Sequence, residues 1–257
     1  MENKKSTVNK WFHLNPIKDH SGEVRIFCFP FAGGSASIYS GWYKKLPDFV
    51  DVYAVQYPGR ADRFLEEPYE DMAKIVSQLV TLMRNFLDKP FIFLGYSMGA
   101  KIAFEVMNRL AELGLRLPEH FIALACRAPH LPLKRKKIHN LDDDLFIKEL
   151  KNFGGTPCEV LKNRELMSLV IPTLRSDFKL FENYQYKGNR KFDCLISIVG
   201  GNKDTDISID DLKSWALHFN QAPCIEVLDG DHFFINSHRD DLLSIISGFL
   251  LGTVVET

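Results

Sequence analysis

The alternation of apolar and amphipathic segments constrains the fold of this chain more than any other feature. Six short apolar runs are separated by longer stretches, and they cover residues 24–29, 52–56, 91–95, 121–126, 194–199 and 224–228. Most are continuous apolar runs, which is typical of strands that are covered on both faces. Strands that alternate with helices predict a doubly wound, mostly parallel α/β sheet.

Two of the intervening stretches have apolar residues at helical spacing. These stretches cover residues 69–87 and 98–113, and Gly114 is a stop signal for the second. Both are therefore predicted to be amphipathic helices that cover the sheet.

The region of about residues 130–190 breaks this alternation. It has no strong strand signal, and its helical pieces are predicted at residues 142–153, 163–171 and 173–184. A connection of roughly sixty residues is far longer than usual between two strands. We interpret the region as a helical lid inserted into a single domain spanning residues 1–257. A long crossover with extra helices is the alternative.

Composition and charge exclude several classes of function. The formal net charge is -1, so bulk charge gives no support for a nucleic-acid partner. No apolar run approaches the roughly 18 residues needed to cross a bilayer, and residues 1–10 are too polar for a secretory signal. The chain has 5 cysteines and no Cys-x-x-Cys, which is typical of free thiols in a reducing compartment. We therefore expect a cytoplasmic protein that does not bind a membrane.

The strongest chemical signal is a Gly-x-Ser-x-Gly motif at residues 95–99. It directly follows a predicted strand and begins a predicted helix at Met98, which is the setting of a nucleophile elbow. Glycines on both sides leave space where a Cβ atom would collide with the backbone. The helix N-terminus provides N–H donors and partial positive charge for a developing oxyanion. We predict that Ser97 is the nucleophile.

A serine nucleophile needs a general base, and the chain has 8 histidines. His232 follows the last predicted strand, and catalytic loops of open parallel sheets lie at the carboxyl ends of strands. We therefore predict His232 as the base. Five other histidines are predicted to lie on the surface, namely His13, His20, His120, His139 and His218.

The third member of the triad should follow the preceding strand, which ends at Val199. The loop contains Asp204 and Asp206, and sequence spacing alone leaves both open. The order of serine, aspartate and histidine is that of α/β-hydrolases, which distinguishes this chain from other serine hydrolases.

An oxyanion hole needs two aligned donors. The first predicted donor is the amide of Met98, and the second lies in the glycine-rich loop at residues 30–36. We predict Ala32 in that loop, with Phe31 as the neighbouring alternative. A glycine-rich turn without an active role is the other interpretation.

Several motifs together resemble those of the type II thioesterases that accompany nonribosomal peptide and polyketide synthases. The stronger ones are residues 29–35, 56–60, 95–100 and 230–234, and the weaker ones are 128–130 and 174–178. The resemblance implies an α/β-hydrolase fold with a mobile helical lid. It places the acid in a Gly-Gly-x-x-Asp stretch, which favours Asp204. The family usually has histidine where this chain has Tyr96.

The resemblance also implies a reaction and a partner. The substrate would be an acyl thioester on the phosphopantetheine arm of an acyl or peptidyl carrier protein, and the role would be editing of misprimed or stalled synthases. We expect a monomer without a cofactor or metal ion. Product release, a carboxylesterase with the same triad, and a non-catalytic binding module remain alternatives.

Two further features have open interpretations. The basic run at residues 134–137 is either a docking site for an acidic carrier or a solvated loop. Aromatic residues in the predicted lid either line an acyl channel or belong to its core, namely Phe146, Phe153, Phe178 and Phe181.

Overall fold

The computed structural model describes residues 10–14 and 21–255, with side chains described as far as Gly252. Within these ranges, seven strands form one sheet in the order β1-β3-β2-β4-β5-β6-β7. The strands are β1 (Phe12–Leu14), β2 (Val24–Phe29), β3 (Val50–Val55), β4 (Phe91–Tyr96), β5 (His120–Leu124), β6 (Leu195–Gly201) and β7 (Cys224–Leu228). All pairs are parallel except β1 with β3, so the predicted mostly parallel α/β fold is confirmed.

The edge strand β1 was not expected from the sequence. It has only three residues, which is too short for a hydrophobic period to be recognised. It pairs antiparallel with the neighbouring strand, with Phe12 opposite Val55 and Leu14 opposite Tyr53. Phe12 is fully buried, so packing of this one aromatic side chain secures the edge of the sheet.

Eight α-helices connect and cover the strands within the described ranges. They are α1 (Met72–Met83), α2 (Met98–Glu112), α3 (Asp143–Phe153), α4 (Cys158–Lys162), α5 (Arg164–Glu182), α6 (Ile209–Lys213), α7 (Phe234–Ser237) and α8 (Arg239–Val255). Five short 3₁₀ helices cover Ala36–Tyr39, Trp42–Lys44, Ala61–Arg63, Arg84–Phe86 and Ser214–His218. None of the helices in residues 10–14 and 21–255 is long and apolar enough to cross a membrane.

Both faces of the sheet are covered by apolar cores. Phe27 of β2 packs in a core with α1 and α2, whereas its neighbour Ile26 packs in a second core with α8. Successive side chains of a strand point to opposite faces, so this division shows helices on both sides of the sheet.

Three helices, α3 to α5, lie between β5 and β6. The pieces predicted separately at residues 163–171 and 173–184 form one helix, α5, which continues through Pro172. A proline removes one backbone donor, but the apolar stripe of Met167, Ile171, Leu174 and Phe178 keeps helical spacing across it. Burial of that continuous stripe explains why the helix does not end at the proline.

Candidate active site

Ser97 lies in the sharp turn between β4 and α2. Its backbone has φ 51° and ψ -114°, a conformation that non-glycine residues rarely adopt. A Cβ on Gly95 would lie 2.3 Å from the Cα of Ala100, and one on Gly99 would lie 2.1 Å from the carbonyl oxygen of Phe29. The two glycines of the motif are therefore sterically required for the turn that presents Ser97.

The three predicted triad residues meet beside this turn. His232, in the loop after β7, has its Nε2 atom 3.0 Å from Ser97 Oγ and its Nδ1 atom 2.7 Å from Asp204 Oδ2. The other oxygen of Asp204 accepts from the amides of Asp206 at 2.9 Å and Ile207 at 3.1 Å. The Asp204 side chain is 2% exposed, so its carboxylate is held in place and shielded from water.

Asp206, the alternative acid, points elsewhere. Its Oδ2 atom accepts from Arg135 Nη1 at 2.9 Å, and its side chain is 45% exposed. The structure therefore places Asp204, and not Asp206, on the imidazole of His232. Sequence spacing left these two open because both lie in the same short loop.

Two backbone amides are available near Ser97. Met98 is the first residue of α2, so its N–H has no acceptor within the helix, and Ala32 lines the same pocket. The next two loop amides, of Gly33 and Gly34, donate to protein oxygens at 2.7 and 2.9 Å. Among the described residues, the Ala32 amide donates to no protein acceptor. These two amides can hold a developing oxyanion.

A largely apolar pocket opens at Ser97 and His232. Its apolar lining comes from the loop before the first 3₁₀ helix and from α3 and α5, and includes Phe31, Leu150, Phe153, Leu174, Phe178 and Phe181. Phe146 is instead fully buried in the core of the inserted helices. Three of the four aromatic residues considered in the sequence therefore line the pocket, and one is core.

Cations of the basic run border this pocket. Lys134 forms an ion pair with Asp211 at 2.6 Å, and Arg135 forms one with Asp206 at 2.9 Å. The Arg135 guanidinium also lies 3.6 Å from the ring centroid of Phe153. Lys137 donates a hydrogen bond to Asn183 at 2.6 Å, so three of the four cations are engaged within the protein, which weakens the docking interpretation of this run.

Tyr96, where this chain departs from the family pattern, contacts the loop that carries His232. Its hydroxyl donates to the backbone carbonyl of His232 at 2.6 Å. Its ring is fully buried and lies 5.6 Å from Phe31 and 5.3 Å from Phe234 between centroids. Burial raises the pKa of the phenol well above its usual value, so the hydroxyl stays a donor. The sequence showed no signal for this contact, because its partner is distant in the chain.

Three histidines that were predicted to lie on the surface are buried. Each has a polar partner, namely His120 with Ser197 at 2.8 Å, His139 with Glu182 at 2.6 Å and His218 with His130 at 2.7 Å. The surface prediction was wrong for these residues because a partner elsewhere in the chain offsets the cost of burying an imidazole. His20 lies outside the described residues.

Comparison with known proteins places this geometry in a family. Residues 24–250 match the thioesterase domain family. The chain is 34% identical over 241 residues to the gramicidin S biosynthesis protein GrsT of Aneurinibacillus migulanus, covering 94% of each chain. It is also 38% identical over 251 residues to a protein of Brevibacillus parabrevis named linear gramicidin dehydrogenase LgrE, covering 96% of this chain and 95% of that one. Despite the second name, this chain has no Gly-x-Gly of the dinucleotide-binding fingerprint.

A solved structure agrees with the match. The type II thioesterase YbtT from the yersiniabactin nonribosomal peptide and polyketide pathway superposes with a TM-score of 0.82. It shares 30% sequence identity, and the superposition covers 95% of this chain and 99% of that one. The resemblance found in the motifs thus extends over nearly the whole fold. The chain belongs to the thioesterase family, as a type II thioesterase of nonribosomal peptide and polyketide synthase systems.

Proposed function

We propose that Ser97, His232 and Asp204 hydrolyse an acyl thioester, with the amides of Met98 and Ala32 as the oxyanion hole. One observation carries this proposal. A single imidazole lies 3.0 Å from a serine hydroxyl in a strained elbow and 2.7 Å from a buried carboxylate, beside a largely apolar pocket. That arrangement of nucleophile, base and orienting acid defines a serine hydrolase by geometry.

In the first half-reaction, Ser97 Oγ attacks the thioester carbonyl carbon while His232 Nε2 removes the hydroxyl proton. Asp204 accepts a hydrogen bond from Nδ1 and stabilises the imidazolium that forms. The amides of Met98 and Ala32 donate to the tetrahedral oxyanion. The carbon–sulfur bond then breaks, the thiolate receives the proton from His232, and an acyl-serine ester remains.

In the second half-reaction, water replaces the thiol. His232 removes a proton from this water as it attacks the acyl-serine carbonyl, and the same two amides hold the second oxyanion. Collapse breaks the bond to Ser97 Oγ, which regains its proton from His232. The products are a carboxylic acid and the free thiol, and the enzyme returns to its starting state.

The family supports a particular substrate. We propose that the acyl group is carried on the phosphopantetheine arm of a separate acyl or peptidyl carrier protein. Removal of misprimed or stalled acyl groups returns the carrier to its thiol form, which is an editing role. The apolar lining of the pocket, from Phe31, Leu174 and Phe178 among others, supports an acyl chain as the occupant.

The inserted helices support a lid. We propose that residues of about 130–190 act as a lid over a single α/β-hydrolase domain. The helices α3 and α5 contribute Leu150, Phe153 and Phe178 to the pocket wall beside Ser97. Movement of these helices would therefore change access to the nucleophile.

We further propose that the protein acts as a monomer in the cytoplasm. All five cysteines are free, and Cys28 and Cys126 are buried, which supports a reducing compartment. Size-exclusion chromatography with light scattering tests the oligomeric state, and a dimer at micromolar concentration would contradict the first part of this proposal.

The nucleophile is tested by comparing the wild type with Ser97→Ala. We expect loss of hydrolysis of a carrier-bound acyl thioester with an unchanged circular dichroism spectrum. A matched oxygen ester of the same acyl group separates a thioesterase from a carboxylesterase. Full turnover by a folded Ser97→Ala variant would contradict the assigned nucleophile, and faster hydrolysis of the oxygen ester would favour the carboxylesterase.

A further inference from the structure

Two of the family motifs contribute no reacting group, and the structure joins them. Arg60, from residues 56–60, and Asp177, from residues 174–178 in α5, form a bidentate ion pair. The distances are 2.6 Å from Nη1 to Oδ2 and 2.8 Å from Nη2 to Oδ1. The two side chains are only 7% and 4% exposed. A planar guanidinium and a carboxylate in this geometry fix one relative orientation of the two segments.

Both members of the pair also hold the loop that carries Ala32. Asp177 Oδ2 accepts from the Gly33 amide at 2.7 Å, and Arg60 Nη1 donates to the Gly34 carbonyl at 3.2 Å. The pair therefore restrains the two residues that directly follow the proposed oxyanion donor. With its N–H held by Asp177, the Gly33 peptide constrains the orientation of the neighbouring Ala32 amide.

The far end of the same loop is restrained by Gln56. Its Oε1 atom accepts from the Ala36 amide at 2.8 Å, and its Nε2 atom donates to the Arg60 carbonyl at 3.0 Å. Residues 56–60 thus hold the loop at residues 31–36 in place through side-chain hydrogen bonds to its backbone. The motif has a structural explanation that its sequence alone does not show.

The helix α5 packs directly on this loop and on residues 56–60. A Cβ on Gly33, which has φ +77°, would lie 2.5 Å from Leu174 Cδ2. Thr173 Oγ1 donates to the Gly59 carbonyl at 2.5 Å. The helix that lines the pocket therefore touches the loop directly, and a side chain at residue 33 would require Leu174 to move.

We propose that Asp177 is a positioning residue that couples the position of α5 to the geometry of the oxyanion hole. When α5 packs against the loop as in this structure, the Asp177 carboxylate accepts from the Gly33 amide, and the Ala32 N–H points toward the reacting carbonyl. Arg60 neutralises the buried carboxylate, which would otherwise repel the developing oxyanion. This inference rests on the proposed role of Ala32 in hydrolysis. Assembly of the hole would thus depend on the helix that covers the pocket.

The test compares Asp177→Asn with a control on the same helix. Lys179→Met removes the ion pair with Glu70, another contact of α5 with the body of the protein, and does not touch the loop. We expect Asp177→Asn to lower kcat for a carrier-bound acyl thioester by about 10- to 100-fold, with KM within about threefold, because small displacements of aligned groups have large kinetic effects. We expect Lys179→Met to retain kcat within about twofold.

A fluorophosphonate provides a second readout, because phosphonylation of Ser97 also places an oxygen in the oxyanion hole. The labelling rate should fall in parallel with kcat in Asp177→Asn and stay unchanged in Lys179→Met. If Asp177→Asn does not fold, Arg60→Lys, which keeps the charge and loses the bidentate geometry, is measured in the same way and should show the same loss of kcat.

The possible failures are distinguishable. Unchanged kcat and labelling in a folded Asp177→Asn or Arg60→Lys variant would overturn the positioning role alone. An equal loss in Lys179→Met would also overturn it, since any loosening of α5 would then suffice. Absence of labelling at Ser97 in the wild type would instead overturn the proposed nucleophile, and the positioning role with it.

Discussion

The hydrogen bond from Tyr96 to the catalytic loop makes a quantitative prediction. Tyr96→Phe removes only the hydroxyl, which donates to the His232 carbonyl at 2.6 Å and accepts from the Ile235 amide at 3.5 Å, and the buried ring remains. A net hydrogen bond is worth about 0.5–1.5 kcal/mol, and an unsatisfied carbonyl adds to the loss. We therefore expect the free energy of unfolding to fall by about 1–2 kcal/mol.

The chain offers a matched control. Tyr57 is also buried, but its hydroxyl has no hydrogen-bond partner among the described residues. Tyr57→Phe removes the same atom without breaking a bond, so we expect no loss of stability and a gain of up to about 1 kcal/mol. Both rings are at most 1% exposed, so differences in burial of the ring are minimised, although the Arg60 guanidinium lies 5.3 Å from the centroid of the Tyr57 ring.

Urea unfolding measures both variants, with an unchanged m-value as the condition for comparison. Because the His232 backbone loses one restraint, we also expect kcat of Tyr96→Phe to fall by about tenfold. Equal stability of Tyr96→Phe and Tyr57→Phe would refute the argument that this hydroxyl anchors the loop. Unchanged kcat in a destabilised Tyr96→Phe would limit the contact to a structural role.

Three further predictions follow from the geometry of the sheet and its loops. Gly99→Ala would place its Cβ 2.1 Å from a β2 carbonyl oxygen, so we expect the free energy of unfolding to fall by more than about 3 kcal/mol. The control Gly248→Ala has open space in α8 and should raise it by about 1 kcal/mol. Equal effects of the two variants in thermal unfolding would contradict the steric argument. Asp204→Asn should lower kcat by about 10³- to 10⁴-fold, and Asp206→Asn by less than about tenfold. If steady-state kinetics gave the reverse ranking, Asp206 and not Asp204 would be the acid of the triad. Burial lowers the pKa of His120 from 6.5 to about 4, so the unfolded chain binds a proton between these values while the folded chain does not. The stability that this group contributes is complete above about pH 6.5 and falls toward pH 4 at about 1.4 kcal/mol per pH unit. In urea unfolding, the free energy of unfolding of His120→Gln should therefore depend on pH less steeply than that of the wild type, by that amount. Equal slopes would contradict burial as the cause.

Much of the proposed catalytic site could be predicted from local sequence. Ser97 lies between a strand and a helix, and His232 follows the last strand, so chain order and strand ends suffice to place both at one edge of the sheet. The choice of Asp204 over Asp206 needed either the family motif or the structure. Two carboxylates two residues apart differ in direction, which depends on the loop backbone and not on spacing.

Other features could not be predicted because their partners are distant in the chain. The burial of His120 and His139 depends on Ser197 and Glu182, which are 77 and 43 residues away. The continuation of α5 through Pro172 depends on packing of an apolar stripe in the inserted helices. In each case a tertiary contact outweighs the local preference of the residue.

The sequence by itself determined the alternation of strands and helices and the elbow around Ser97, because these depend on periodicity and steric limits within a few residues. It also gave the order along the chain of the three proposed catalytic residues. Only the tertiary structure decided which groups surround the reacting atoms. It placed Tyr96 on the backbone of His232, 136 residues away, and joined Arg60 to Asp177 across 117 residues. Such contacts follow from how strands pair and helices pack, and no short segment of the chain contains that information.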